Sequence, residues 1–130
     1  SEADVFASIA QYLKGAQWDN EQTWGREVQL PANYSAQAAQ WQQPPTEYSC
    51  SVLRRHTVQR SLQDWQASGI RRADGSDLPT NDLMASIIQP DGEEGRAFIT
   101  YGNFRAILRY NCANNYALSI GHLADKFIGY

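Results

Sequence analysis

The chain has 130 residues, a net charge of −3 and a sequence pI near 5.2. Its 42% hydrophobic and 19% charged residues are typical of one ordinary globular domain and exclude a disordered chain. The acidic balance argues against a nucleic-acid binder, which needs a basic face for phosphates. The basic residues cluster once, which is typical of a solvated helix face: the cluster contains Arg54, Arg55, Arg60, Arg71 and Arg72.

The first segment, SEADVFASIAQYLKG, is already a helical pattern. Ser1 is a suitable N-cap, and Val5, Ile9 and Tyr12 fall on one face at helical spacing. Gly15 is expected to end the helix. No signal peptide and no apolar run of about 18 residues, the length of a membrane span, is visible. We therefore expect a mature chain or a piece of a longer protein.

The middle of the chain carries the signals of a small sheet. GREVQLP (25–31) alternates with period two and stops at a proline, which predicts a strand. Residues 32–48, rich in Ala and Gln, are predicted as a loop with room for one helical turn. An Asp74–Gly75 turn follows. LMASIIQPDGEEGRAFITYG then predicts a hairpin with strands near Met84–Ile88 and Arg96–Tyr101.

A helix is predicted within this middle region, over TVQRSLQDWQASG. Thr57 is its expected N-cap, and Gly69 its expected end. Val58, Leu62 and Trp65 form a stripe at i, i+4 and i+7, so this helix should pack one face against the core.

Two further helices are predicted around the break YNCANNY near the end of the chain. Asn114 is the expected N-cap of the second helix. The inward-facing residues are Phe104, Ile107 and Leu108 on the first helix, and Tyr116, Ile120, Leu123 and Phe127 on the second. The sequence thus predicts a single α+β unit, in which helices from 1–16 and 102–130 pack together around a β-containing insert at 17–101.

The acidic residues give no convincing catalytic or metal pattern. Glu21 follows a turn and precedes a strand, whereas a general acid needs a dry cleft on a rigid element. A solvated turn acid is therefore the favoured interpretation. Asp91, Glu93 and Glu94 crowd a hairpin loop but lack the DxDxDG spacing of a calcium site. They are predicted to be a charged hairpin tip.

The histidines and cysteines are equally unspecific. His56 and His122 have no Ser, Cys or Asp partner that the sequence places to orient them, so both are predicted to be packed or surface residues. Cys50 and Cys112 form no CxxC or Cys/His pattern, which makes a structural zinc site improbable. One disulfide and two free thiols remain open alternatives.

Aromatic and amide side chains are the most informative group. Trp18, Trp24 and Trp65 are expected to be core residues, because large aromatics dominate core energetics. Tyr110–Asn111 and Tyr116 instead flank a helix break, where side chains point into a cleft rather than along a continuous stripe. Aromatic rings beside amides are the usual lining of a sugar-binding groove, in which rings stack on sugar faces and amides bridge hydroxyls.

A family resemblance rests on YGNFRAILRYNCANNYALSIGHLADKFIG. This segment resembles the C-terminal part of the MltB-type lytic murein transglycosylases, in which a YN–x–S–x–x–YA pattern recurs. ADVFASIAQYLKGAQW, TWGREVQLP, LQDWQASGIRRADGSDLP and ASIIQPDGEEGRAFITYGNF follow the order of that family. The resemblance therefore extends over nearly the whole chain.

The resemblance implies a periplasmic, peptidoglycan-cleaving enzyme with a lysozyme-like core. Such an enzyme breaks the β-1,4 bond between N-acetylmuramic acid (MurNAc) and N-acetylglucosamine (GlcNAc) without water. One Glu protonates the leaving oxygen and the C6 hydroxyl of the sugar closes a 1,6-anhydro ring, unlike two-carboxylate glycosidases. The family's catalytic Glu lies in an E-(S/T)-x-(F/Y)-G motif that this chain lacks. We therefore expect a C-terminal portion that forms part of the glycan groove without a catalytic residue of its own.

By the same resemblance, Tyr12, Tyr110, Asn111 and Tyr116 match positions that line the glycan site. Asn111 would bond the N-acetyl or ring-side groups of the reacting sugar, and the tyrosines would stack on the sugar or hold the acid. Ala113 stands where the family usually has Ser, and Gln11 where Asn is common. Asp4 matches a metal ligand of some relatives, but the rest of that calcium loop is missing, so no metal and no cofactor are predicted.

Three hypotheses follow for the function. The first is a portion of a lytic transglycosylase that acts on peptidoglycan glycan strands with a catalytic portion found elsewhere. The second is a non-catalytic module that binds peptidoglycan or docks on a partner enzyme. The third is an independent hydrolase that uses Glu21 or the Glu93/Glu94 loop.

Overall fold

The computed structural model describes residues 3–4, 7–9, 23–43 and 50–128, with the backbone alone for 127 and 128. It separates into two compact units: one comprises Ser1–Gly25 and Tyr101–Tyr130, and the other comprises Arg26–Thr100. The predicted division at 1–16, 17–101 and 102–130 stays a prediction. Residues 3–4 and 7–9 are helical and Ile9 is buried. Tyr12, Trp18, Glu21 and the remainder of the predicted first helix lie outside the described residues.

A five-stranded sheet organises the Arg26–Thr100 unit. Its strands are β1 (Gly25–Gln29), β2 (Arg60–Ser61), β3 (Arg71–Arg72), β4 (Met84–Ile88) and β5 (Ala97–Thr100), in the order β2-β4-β5-β1-β3. β4 and β5 pair antiparallel with Ile87 opposite Ile99, as the predicted hairpin requires. Apart from Met84, every residue of both strands is buried, including the polar Ser86 and Thr100, so the side chains on both faces of the hairpin are buried.

The Ala- and Gln-rich segment after β1 contains the predicted helical turn. It is α1 (Tyr34–Ala38), which begins where the Tyr34 amide donates to the Pro31 carbonyl, and a 3-10 turn over Ala39–Trp41 extends it. Tyr34 and Trp41, one at each end, are both buried. These two aromatic anchors fix a segment whose other residues are mostly small or polar.

The helix predicted from Thr57 is shorter, and its predicted N-cap is wrong. α2 spans Leu62–Ala67, and Ser61 caps it by accepting a hydrogen bond from the Asp64 amide at 3.1 Å. Thr57 instead belongs to the sheet edge, because its amide donates to the Ile87 carbonyl and its hydroxyl accepts from the Ile87 amide. The long-range pairing with β4 outcompetes a helical turn at this position. As expected, Gly69 ends the helix, with a φ of +100°.

The basic cluster is not a solvated helix face, so that prediction is wrong. The Arg60 guanidinium lies 4.4 Å from the ring centres of both Trp41 and Trp65. The Trp65 indole in turn donates to the Ala85 carbonyl at 2.8 Å, which fixes this aromatic pair against β4. Arg71–Arg72 form β3, and Arg54 and Arg55 are exposed at the end of a 3-10 helix over Ser51–Arg55. The members of this sequence cluster therefore have separate structural roles.

The other unit contains the predicted helix pair, α3 (Gly102–Tyr110) and α4 (Asn114–Ile128). On α3 the buried residues include Phe104, Ile107 and Leu108, as the sequence predicts. On α4 the prediction is only partly right: Ile120 is buried together with Ala117 and Ala124, whereas Tyr116 and Leu123 are half-buried and the side chain of Phe127 lies outside the described residues. Asn114 is the first helical residue rather than the N-cap, because the Ala113 carbonyl already accepts a hydrogen bond from the Ala117 amide. The helices and the sheet together confirm the predicted α+β class.

Cys50 and Cys112 are both disulfide-bonded, so the free-thiol alternative is wrong. In the described part of the chain, every helix is too short or too polar to cross a bilayer.

Candidate functional site

The helix break at residues 111–113 is where the structure places most of the predicted site residues. α3 ends at Tyr110 because Asn111 adopts an extended backbone, with φ −149° and ψ 115°. The Ala113 amide donates to the Asn111 carbonyl at 2.8 Å, and α4 starts at the next residue. The disulfide-bonded Cys112 lies within the break. The turn is therefore held by backbone hydrogen bonds and a covalent link, which gives the flanking side chains a defined position.

Tyr110 and Tyr116 meet across this break. Their rings are nearly parallel, with centroids 6.1 Å apart and planes inclined by 22°. Tyr110 is 43% exposed, more than the other large aromatic side chains that the structure describes, and Tyr116 is half-buried. Desolvation raises the pKa of the Tyr116 hydroxyl, and the charge and hydrogen bond of Tyr110 raise it further. The Tyr116 phenol therefore stays neutral near pH 7, so it can donate a hydrogen bond as well as accept one.

Asn111 follows Tyr110 directly and is exposed. Its amide can donate and accept hydrogen bonds, and the two phenols supply ring faces and hydroxyls. This set can stack on an apolar sugar face and bond its polar substituents. It contains no carboxylic acid, so it can bind and orient a sugar but cannot itself protonate a glycosidic oxygen. The fourth predicted site residue, Tyr12, lies outside the described residues.

A second polar cluster in the same unit was missed by the sequence analysis. The buried Trp24 indole donates to both carboxylate oxygens of Asp125, at 3.1 Å each. His122 packs edge-on against the same indole, with ring centres 5.1 Å apart, and its Nδ1 lies 4.0 Å from Asp125. The prediction that no Asp is placed to orient His122 is therefore wrong. The i, i+3 spacing of His122 and Asp125 was the available signal, whereas Trp24 is remote in sequence.

Two polar groups of α3 were also missed. Asn103 is buried, with 1% of its surface exposed, although it lies in the first turn of the helix. Arg105 is half-buried, and its pKa is lowered first by burial and then by the charge of Arg109. The i, i+4 spacing of the two arginines is visible in the sequence, but their burial is not. α3 thus carries polar groups on more than its exposed face.

The acidic residues considered as catalytic or metal-binding candidates are the last group to place in the structure. Asp91, Glu93 and Glu94 are exposed around the hairpin loop, and Asp91 pairs with Arg96 at 3.3 Å, as expected of a charged tip. Glu21 lies outside the described residues. Within the described ranges, no three His, Cys, Asp or Glu side chains are grouped in a way that could hold a metal ion.

Comparison of the chain with protein-family models gives a match. The model of the transglycosylase SLT domain matches residues 1–125, which is nearly the whole chain. No match was found among curated proteins.

Solved structures show the same relationship. The structure of SltB3 from Pseudomonas aeruginosa in complex with NAG-anhNAM-pentapeptide is 38% identical, with a TM-score of 0.72 over 95% of this chain and 29% of that chain. Its complex with NAG-NAM-pentapeptide gives 38% identity and a TM-score of 0.70, over 95% of this chain and 30% of that chain. The Escherichia coli lytic transglycosylase SLT35 in complex with calcium shares the fold at 21% identity, with a TM-score of 0.55 over 91% of this chain and 32% of that chain.

These matches confirm the helices as those of a lysozyme-like lytic transglycosylase fold. The chain spans less than a third of the length of these solved relatives. The family model and the identity to SltB3 agree with the resemblance that the helix-break motif indicated. The chain belongs to the transglycosylase SLT domain family.

Proposed function

We propose that this chain is the C-terminal part of a peptidoglycan lytic transglycosylase, which cleaves MurNAc–GlcNAc β-1,4 bonds to 1,6-anhydro products. In this proposal the chain forms part of the glycan groove and lacks the catalytic Glu. The observation that carries the proposal is the stacked, partly exposed Tyr110–Tyr116 pair beside exposed Asn111. Membership of the family and the peptidoglycan fragments bound to SltB3 support it.

The proposed division of labour follows from the chemistry of the side chains. Tyr110 and Tyr116 offer ring faces for the apolar face of a sugar, and Asn111 offers an amide for an N-acetyl or ring-side group. The general acid would come from the catalytic portion of the enzyme, which this chain does not supply. Tyr12 is proposed as a further groove residue on the strength of the family motif alone. The setting would be the periplasm, with glycan strands and the catalytic portion as partners.

Binding to purified, insoluble peptidoglycan tests the groove. The chain should co-sediment with peptidoglycan, and Tyr110→Ala should weaken its affinity by about 3- to 10-fold, which corresponds to the roughly 0.5–1.5 kcal/mol of an aromatic stacking contact. Tyr110→Phe is the matched control, because it keeps the ring and should retain most of the affinity. Absence of binding by the unmodified chain would overturn the proposal.

Digestion of peptidoglycan tests the missing acid. Mass spectrometry should find no 1,6-anhydro-muropeptides after incubation with the 130-residue chain alone. Anhydro product would mean that a carboxylate within the chain performs the chemistry, and loss of that product in Glu21→Gln would identify the acid. Hydrolysed product without an anhydro end would favour the independent hydrolase. Tight peptidoglycan binding that persists in Tyr110→Ala would instead favour the non-catalytic binding module.

A further inference from the structure

The Arg26–Thr100 unit contains a cavity that has no part in the helix break. Its volume is about 430 Å³, within the range of roughly 300–1,000 Å³ that is usual for small-ligand sites. It lies between the α1 segment, the 3-10 helix that ends at Arg55, and the loop that joins β4 to β5. The lining residues that carry polar or aromatic chemistry include Tyr34, Trp41, Arg54, Arg55, His56 and Glu93.

The inner part of this cavity is aromatic and fixed. Tyr34, Trp41 and His56 are 5%, 7% and 2% exposed, so each is held by the surrounding fold. The rings of Tyr34 and Trp41 lie with centroids 6.0 Å apart. On its other side Trp41 is held by Arg60 and by Trp65, whose ring centre is 5.0 Å away. A ligand would therefore meet a preformed apolar surface, which reduces the ordering cost of binding.

The outer part of the cavity is positively charged. Arg54 and Arg55 are exposed and follow one another at the end of the 3-10 helix. Neither guanidinium forms an ion pair or hydrogen bond with another described residue. Among the described lining residues, Arg54 and Arg55 are the basic ones and Glu93 is the acidic one. This balance favours an anionic ligand, and guanidinium groups bind carboxylates with two parallel hydrogen bonds.

We propose that this cavity binds a carboxylate-bearing peptide, with the acidic groups of the peptide at Arg54 and Arg55 and its apolar groups against Tyr34 and Trp41. The inference rests on the proposed function, because the saccharides bound to SltB3 carry a pentapeptide. The cavity would then bind the peptide stem of peptidoglycan, and the Tyr110–Tyr116 pair would bind the glycan. The side-chain oxygens of Glu93 and the neighbouring Gln89 can accept hydrogen bonds from the amides of the peptide backbone, while the Gln89 amide nitrogen donates to the Glu93 carbonyl at 3.2 Å.

NMR titrations of the isotope-labelled 130-residue chain with separate ligands test this assignment. The probes are the free stem pentapeptide, the same peptide with its carboxylates converted to amides, and a peptide-free glycan of alternating NAG and NAM. The free peptide should shift the signals of His56 and of the Trp41 indole and leave Tyr110 unchanged. The amidated peptide should bind at least tenfold more weakly, and added salt should weaken the binding of the free peptide.

Substitution of Arg54 and Arg55 tests whether their charges contribute to peptide affinity. Arg54→Gln and Arg55→Gln should each weaken peptide binding about tenfold, the usual size of a lost charge-assisted hydrogen bond. Both residues are exposed, so the variants should stay folded. Lys126→Gln is the matched control, because it removes an exposed positive charge from α4, outside the cavity lining, and should change nothing.

The outcomes separate this inference from the proposed function. Shifts at Tyr110 with glycan but none at His56 or Trp41 with peptide would overturn the peptide site and leave the glycan groove standing. Peptide binding unaffected by Arg54→Gln and Arg55→Gln would equally overturn it. Peptide shifts at the cavity without glycan shifts at Tyr110 would support the peptide site and contradict the groove.

Discussion

The indole Nε1 of Trp24 donates a hydrogen bond to the carboxylate of Asp125, across 101 positions of sequence. The indole is buried, with 2% of the residue exposed. Without this acceptor its N–H group would be removed from water and left without a hydrogen-bond partner, which is unfavourable. This bond fixes the residue that precedes β1 to the last turns of α4.

Asp125→Ala should lower the free energy of unfolding by about 1–3 kcal/mol, the cost of leaving a buried donor unsatisfied. Asp125→Asn, which keeps an acceptor oxygen, should recover much of this loss. Denaturant unfolding gives both values, and Asp82→Ala serves as the control because Asp82 is exposed. Equal stability of Asp125→Ala and the unmodified chain would show that the Trp24 bond contributes nothing.

Gly121 is required by the same indole. A Cβ atom at this position would lie 2.7 Å from Cδ2 of Trp24, well inside van der Waals contact, and the buried ring has little freedom to retreat. Gly121→Ala should therefore lower the free energy of unfolding by about 1–3 kcal/mol, the usual cost of overpacking.

Helix propensity predicts the opposite sign for Gly121→Ala, because Ala is favoured over Gly by up to about 1 kcal/mol within a helix. Gly102→Ala on α3 is the matched control, since a Cβ there has nothing within 4 Å. The control should be neutral or slightly stabilising. A stabilised Gly121→Ala variant, measured in the same unfolding experiment, would contradict the close packing of Trp24 on α4.

Arg60 is predicted to stabilise the Arg26–Thr100 unit through the contact of its guanidinium with two neighbouring indoles. Its guanidinium also donates to the Ser68 hydroxyl at 3.1 Å. Arg60→Gln should lower the free energy of unfolding by roughly 1–3 kcal/mol, because two cation–π contacts are lost together. Arg60→Lys keeps the charge but not the planar group, so its loss should be smaller. Identical stabilities of all three proteins would contradict the stacked arrangement.

Tyr34 makes stability depend on alkaline pH. Burial raises the pKa of its hydroxyl to about 12, and the nearby charge of Arg60 only partly opposes this effect. The ordinary value of the unfolded chain is about 10. Since the raised pKa belongs to the folded state, the contribution to stability is present below pH 10 and is lost as the pH rises from about 10 to 12.

Tyrosinate absorbance should therefore contain a component that titrates near pH 12 and disappears in Tyr34→Phe. The pH dependence of the unfolding free energy above pH 10 should also be shallower in that variant. A Tyr34 hydroxyl that titrates near 10 in the folded protein would contradict the burial of this side chain at the start of α1.

Local patterns were sufficient for much of the fold. The β4–β5 hairpin was recognisable because two apolar strands flank a Pro–Asp–Gly loop, and Gly69 marked the end of α2 through its left-handed backbone. The buried face of α3 followed from helical periodicity. Each of these signals is contained in a short stretch of sequence.

Competition between distant segments explains the errors. Thr57 has the side chain of an N-cap, but β4 offers its amide and hydroxyl hydrogen bonds that a local helix cannot match. Arg60 looks like one charge among several in the sequence, and only the structure shows its guanidinium in contact with the rings of Trp41 and Trp65. The candidate site divides in the same way: Tyr110 and Tyr116 were visible at a helix break, whereas the stacking of their rings required the structure.

The most direct measurement of the central claim is an NMR titration of the isotope-labelled chain with a peptide-free glycan of alternating NAG and NAM. One sample reports both binding, through the protein signals, and cleavage, through the sugar signals. The account predicts shifts at Tyr110, Asn111 and Tyr116 and an intact glycan with no 1,6-anhydro end. Unchanged signals at these three residues would contradict the groove, and the appearance of an anhydro sugar would contradict the absence of a catalytic acid.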